Sequence, residues 1–124
     1  MIEMLADFHD NVVAFRCHGR VTKDDYDTVL IPEVEKRLKQ YDKLRIYYEF
    51  AADFDGIAPG AAWEDAKVGF RHFLSWERGA VVTDMEWVKQ AMRFFGFLMP
   101  AELRTFPLAE AGKAREWITE TQAA

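Results

Sequence analysis

The sequence predicts one α/β domain over residues 1–124, with a single-layer, mixed five-stranded sheet and about four helices. Three observations predict it. Apolar residues alternate in short strand-like segments, recur at helical spacing in longer ones, and the segments follow in the order β-β-α-β-α-β-α-β-α. Strands separated by helices need crossover connections, which favour a parallel sheet. The length is typical of one domain, and no linker, repeat or low-complexity tract divides the chain.

The first two strands are predicted to form an antiparallel hairpin. A short apolar stretch at residues 2–5 is followed by a polar turn ending in Asp10 and Asn11. The run Val12–Cys17 alternates like a strand, which places Arg16 and His18 on the face opposite Val13, Phe15 and Cys17.

The first helix and the next strand have clear boundary signals. Thr22 is a suitable N-cap, and Asp24 and Asp25 complement the positive end of a helix dipole. The helical pattern continues to Tyr41, but Pro32 interrupts it and predicts a broken helix or two short ones. Residues 44–51 then alternate as a strand with both faces partly covered.

The remaining elements follow the same alternation. Asp84 is expected to cap the third helix, and Pro100 to stop it. The predicted elements are a second helix at 61–74, a buried strand at 79–83, the third helix at 84–99, a strand at 103–108 and a C-terminal helix at 109–121 with the apolar stripe Ala111, Ala114, Trp117 and Ile118.

Composition excludes several classes of protein. The chain has 16 basic and 21 acidic residues, a net charge of −5, and lacks the basic patch of a nucleic-acid-binding protein. Its N-terminus has acidic residues where a signal peptide has cations, and no stretch reaches the roughly 18 apolar residues of a transmembrane helix. We therefore expect a soluble cytoplasmic domain, without an internal disulfide because Cys17 is the only cysteine.

Catalytic, cofactor and metal signals are weak. No phosphate-binding glycine loop is present, and the three histidines are widely spaced, so neither a cofactor nor a metal ion is expected. Ser75 lacks a nucleophile elbow, and Cys17 lies in a strand where a thiol packs as a core residue. Asp65 and His72, seven apart on the second helix, could line a cleft or serve as acid and base; solvent-exposed helix polars are the plainer interpretation. We expect no enzymatic activity.

The third helix has more apolar surface than one packed face requires. Its core stripe consists of Val88, Ala91, Met92, Phe95 and Met99. Trp87, Phe94 and Leu98 form a second stripe about 100° away, and Phe97 lies nearly opposite the core. This surplus could contact the second helix, a partner subunit or membrane surface, or a ligand.

A pattern around the second and third helices resembles the SpoIIAA-like family, small bacterial domains related to STAS domains. The matching positions are Trp63, Asp65, Lys67, His72, Arg78, Ala80, Val81, Val82, Asp84 and Trp87. The C-terminal strand followed by an Ala-rich helix with Trp117 is also similar.

The resemblance implies a STAS-like fold related to anti-sigma-factor antagonists and, more distantly, to CRAL-TRIO lipid carriers. For members of the family it implies ligand binding or membrane association. Antagonists of that type are switched by phosphorylation of a serine before the second helix; residues 55–61 here have no hydroxyl group, so such a switch is not expected.

The sequence therefore predicts a non-enzymatic domain that holds a small apolar or lipid-like ligand in a groove between the second and third helices. The alternative is a protein-interaction or peripheral membrane module, and a homodimer is left open. The predicted interaction surface comprises Trp63, Asp65, Phe70, His72, Trp87, Phe94, Phe97 and Leu98.

Overall fold

A computed structural model describes residues 1–6, 8–9, 11–58, 60, 76–98 and 102–120. Of residues 95–98 it describes the backbone. The second helix, predicted at 61–74, lies outside the described residues.

A mixed sheet confirms the predicted fold class. In chain order the strands are β1 (Ile2–Met4), β2 (Val12–Cys17), β3 (Arg20–Val21), β4 (Leu44–Phe50), β5 (Gly56–Ile57), β6 (Trp76–Val82) and β7 (Glu102–Phe106). Five of them form one sheet in the order β1-β2-β4-β6-β7. β1 is antiparallel to β2, as the hairpin prediction requires, and all other neighbours are parallel. β3 and β5 form a separate parallel pair that the sequence analysis missed, since each has two residues.

Three helical stretches lie in the described part of the chain. The first comprises α1 (Lys23–Asp25), a π-helical turn (Tyr26–Leu30) and α2 (Ile31–Leu38); the second is α3 (Glu86–Leu98); the third is a 3-10 turn (Leu108–Glu110) followed by α4 (Ala111–Thr119). Thr22 caps α1 as predicted, in a capping box with Asp25.

Pro32 does not break the first helix. The N–H of Ile31, just before it, donates to Tyr26 O, five residues back, so the backbone makes one wide turn before the proline. Pro32 then occupies the first turn of α2, where a missing N–H costs little. The π-helical turn replaces the predicted interruption.

The sheet separates two apolar cores. The first contains Val13, Phe15 and Cys17 of β2, together with residues of the first helix and Val88 of α3. The second lies under α4, whose Ala114, Trp117 and Ile118 are buried as predicted.

β6 begins at Trp76, three residues before the predicted strand. Residues 76–78 do not form an apolar run, because Glu77 and Arg78 are charged. In the structure Glu77 pairs with Arg45 of β4 at 3.0 Å, and the buried Arg78 donates to Trp117 O. These contacts allow charged side chains inside the sheet.

Candidate functional site

The outward side of α3 carries two large exposed aromatic residues. Trp87 is 55% exposed and Phe94 is 63% exposed; we refer to them as the α3 aromatic pair. They are seven residues apart, so they lie on the same side of the helix, two turns or about 10 Å from each other. The other side of α3 packs on the first core through Val88, which is buried, and Met92.

Trp87 lies at the surface end of a row of aromatic rings. Its ring stacks on Phe54, with centroids 6.3 Å apart and an interplanar angle of 28°. Phe54 is buried and meets Phe50 edge-on at 4.6 Å, and Phe50 stacks on Tyr48 at 4.6 Å. One face of the indole thus packs on the core through Phe54, while more than half of the Trp87 surface remains exposed.

The turn before α3 is held firmly. Thr83 Oγ1 accepts a hydrogen bond from the Met85 N–H at 3.0 Å. Asp84, predicted to cap α3, uses Oδ1 to accept the Leu108 N–H at 3.0 Å, while the helix begins at Glu86. The turn after β6 is therefore tied to the turn after β7, which fixes the start of α3.

This turn and Phe54 both lie at the carboxyl ends of parallel strands. Phe54 follows β4 by four residues and Thr83 follows β6 directly. Ligands of open α/β sheets bind beside this edge. The exposed neighbours of the aromatic pair on α3 are Glu86, Gln90 and Arg93, so apolar surface is flanked by polar groups of both charges.

The structure describes only part of the predicted interaction surface. Trp63, Asp65, Phe70 and His72 lie outside the described residues. Phe97 and Leu98 lie in α3, but their side chains are not described. Of the predicted surface, the structure therefore describes the side chains of the α3 aromatic pair alone.

A polar network on the other face of the sheet was missed by the sequence analysis. Glu49 is 8% exposed; its Oε1 accepts a hydrogen bond from the Tyr47 hydroxyl at 2.7 Å, and its Oε2 pairs with Arg16 Nε at 2.5 Å. Glu3 lies 2.7 Å from His18 Nε2 and also contacts Arg16. Arg16 and His18 were correctly placed on one face, but their partners depend on strand register, which a sequence does not show.

The network shifts the pKa values of its members. Burial and the hydrogen bond to Glu49 raise the pKa of Tyr47, so its hydroxyl stays protonated. The hydrogen bond to Glu49 raises the pKa of Arg16, and the hydrogen bond from His18 lowers the pKa of Glu3. Each carboxylate is thus held by neighbouring donors, which is typical of structural pairing.

Comparison with known proteins decides the family. The SpoIIAA-like family model matches residues 12–119, most of the chain. This chain belongs to the SpoIIAA-like family. The SpoIIAA-like domain also resembles the crystal structure of an uncharacterised DUF3478-family protein from Shewanella loihica PV-4 with a SpoIIAA-like fold. The TM-score is 0.75 and the sequences are 24% identical, over 94% of this chain and 93% of that one. No curated protein matches the sequence.

These matches establish a STAS-type fold for the SpoIIAA-like domain. In the described segments, no helix has the length and apolar character needed to cross a membrane. The same segments hold no group of three or more His, Cys, Asp or Glu residues arranged for a metal ion.

Proposed function

We propose that this SpoIIAA-like domain is a non-enzymatic binding domain that holds a small apolar or lipid-like ligand against the α3 aromatic pair. The observation that carries the proposal is the exposure of Trp87 and Phe94, 55% and 63%, on one side of a helix whose other side is packed. Paired exposed aromatics with a polar rim are typical of binding surfaces. The stack on Phe54 holds the indole in place, which lowers the entropy lost on binding.

Among the described residues, the position of the Glu49 network favours binding over catalysis. The network around Glu49 lies on the face of the sheet that packs against α4, opposite the face covered by α3. Its carboxylate and hydroxyl are engaged with each other and with Arg16. These groups are therefore separated by the sheet from a ligand at Trp87.

Ligand binding can be tested with a panel of fatty acids, lysolipids and phospholipids. We expect at least one to raise the melting temperature of the protein and to be retained in native mass spectrometry. Trp87→Ala and Phe94→Ala should each weaken binding about tenfold or more, because each removes a large apolar contact. Lys113→Ala, at an exposed position of α4 on the other side of the sheet, is the control and should bind like the wild type. A panel without any shift, or equal binding by all variants, would refute the proposal.

The second candidate function is a protein-interaction or peripheral membrane role. The 63% exposure of Phe94 favours it, because an exposed aromatic ring also suits a larger partner. The net charge of −5 disfavours anionic membranes, so a protein partner fits better within this class. Flotation with neutral phosphatidylcholine vesicles separates the membrane role from the first proposal. Cofloating protein that is released by Phe94→Asp would support the membrane role; protein that stays in solution yet binds a monomeric ligand would support the first proposal.

A further inference from the structure

β7 is an edge strand with one hydrogen-bonded neighbour, β6, among the described residues. Its five residues have the exposure expected of an open edge, since Glu102, Arg104 and Thr105 are exposed and Leu103 is half-buried. The other edge strand, β1, is shorter and contacts the π-helical turn. An open strand edge is a template for pairing with another chain.

The direction of the backbone groups along β7 follows from one hydrogen bond. The Thr83 N–H donates to Phe106 O at 2.8 Å, so Phe106 directs its carbonyl towards β6. Backbone polar groups alternate in direction from one residue to the next in a strand. Glu102 and Arg104 therefore direct theirs to β6, and Leu103 and Thr105 direct theirs to the open edge.

The side chains at this edge are self-complementary in one register. Glu102 and Arg104 lie on the same face of the sheet, 51% and 54% exposed, with a 3.2 Å contact between them. If two copies pair antiparallel about Leu103, each Leu103 exchanges two backbone hydrogen bonds with its equivalent. Glu102 then lies opposite Arg104 of the partner subunit, twice across the twofold axis. The outward backbone groups would also permit a register in which Leu103 pairs with Thr105 of the partner subunit. That register places the two Arg104 side chains opposite each other, which is unfavourable.

We propose that β7 is a self-association edge, and that a second copy of this chain pairs with it antiparallel, centred on Leu103. A second copy of this chain is the expected partner because the edge supplies both members of the charge pairs. The charges favour this register over the one centred on Arg104, and it forms two opposite-charge pairs. A pairing of one short strand buries little surface, so the dimer is weak and depends on concentration.

Sedimentation of the full chain from about 10 μM to about 1 mM tests the association, a range that covers dissociation constants typical of weak contacts. We expect a dimer to form as concentration rises and to weaken with added salt, because the ion pairs are exposed. The amide of Leu103 should exchange with solvent more slowly at high concentration. A monomer at all concentrations would overturn the proposal.

Charge reversal tests the register. Glu102→Arg and Arg104→Glu should each raise the dissociation constant by about tenfold or more, since each places like charges opposite each other twice. An equimolar mixture of the two variants should associate again, because opposite charges then meet at both positions. The double variant Glu102→Arg/Arg104→Glu should also dimerise. Association of the mixture would show that both variants fold. The register would be refuted if either single variant dimerised like the wild type, or if the mixture stayed monomeric.

Discussion

The Tyr47 hydroxyl donates a 2.7 Å hydrogen bond to Glu49 two residues further along β4, beneath α4. Both residues lie on the same face of the strand, as their spacing of two requires. Tyr47 is fully buried, so its hydroxyl needs a partner, and the Glu49 carboxylate accepts its hydrogen bond.

Tyr47→Phe should lower the free energy of unfolding by about 1–2 kcal/mol at neutral pH, because Glu49 loses a donor. Burial and the hydrogen bond to Glu49 raise the pKa of Tyr47 above its ordinary value of 10.0. The unfolded chain therefore releases this proton at lower pH than the folded chain, and the stability is present below about pH 10 and lost above it. Urea unfolding from neutral pH to about pH 11 should show the difference between wild type and variant shrinking above about pH 10. A difference that stays constant would contradict this account.

Glu3 should titrate below its ordinary pKa of 4.5, mainly because of the hydrogen bond from His18. A lowered pKa gives stability that is present above pH 4.5 and is lost as the pH falls through the folded-state value. His18→Ala should move the pKa of Glu3 upward, as measured by NMR titration of the carboxyl carbon. Asp53→Ala is the matched control, since Asp53 contacts the other ring nitrogen of His18 at 3.3 Å and should leave the pKa of Glu3 lowered. Equal effects of both variants would contradict the assignment.

Gly79 should resist substitution because Leu103 and Ile46 occupy the space above it. A Cβ at this position would overlap Leu103 Cδ2 and lie 3.2 Å from Ile46 Cγ2. Gly79→Ala should cost about 1–2 kcal/mol of unfolding free energy, measured by urea denaturation. In a Leu103→Ala background the same change should cost less, because the overlap with Leu103 is removed and the contact with Ile46 remains. Additive effects in this double-mutant cycle would show that the overlap does not set the cost.

Arg45 should be important for stability because it connects β4 to the end of α4. Its guanidinium donates to Ile118 O at 2.9 Å and pairs with Glu77 at 3.0 Å, and the side chain is 7% exposed. Arg45→Met leaves these groups unpaired and should lower the free energy of unfolding by about 2–4 kcal/mol. Arg20→Met, at an exposed position, should change it by less than about 0.5 kcal/mol. Similar losses in both variants would contradict a specific role for Arg45.

The mixed sheet with its N-terminal hairpin and the approximate limits of the described helices could be predicted from the sequence, because they depend on local periodicity. Val13 and Cys17 are buried on one face of β2, and Ala114 and Ile118 on one side of α4, as their spacing indicates. The exposed positions of Trp87 and Phe94 also agree with the second apolar stripe predicted for α3.

Other features depend on residues that are distant in sequence, which local patterns do not report. Glu49 meets Arg16 because β2 and β4 pair in one register, 33 residues apart. The early start of β6 at Trp76 likewise depends on the ion pair between Arg45 and Glu77. Asp84 has the sequence signature of a helix cap, yet its carboxylate accepts a hydrogen bond from the Leu108 N–H. The predicted sites at Trp63, Asp65, Phe70 and His72 lie outside the described residues and stay predictions.

The wide turn ahead of Pro32 has a consequence for chain length. A five-residue turn holds one residue more than an ordinary helical turn needs, and Tyr26 and Leu30, at its two ends, still both reach the first core. Deleting a single residue within this turn would let the backbone relax to α-helical winding while its two anchored ends keep their places. Variation in length between related chains can therefore be absorbed at this point without displacing β4.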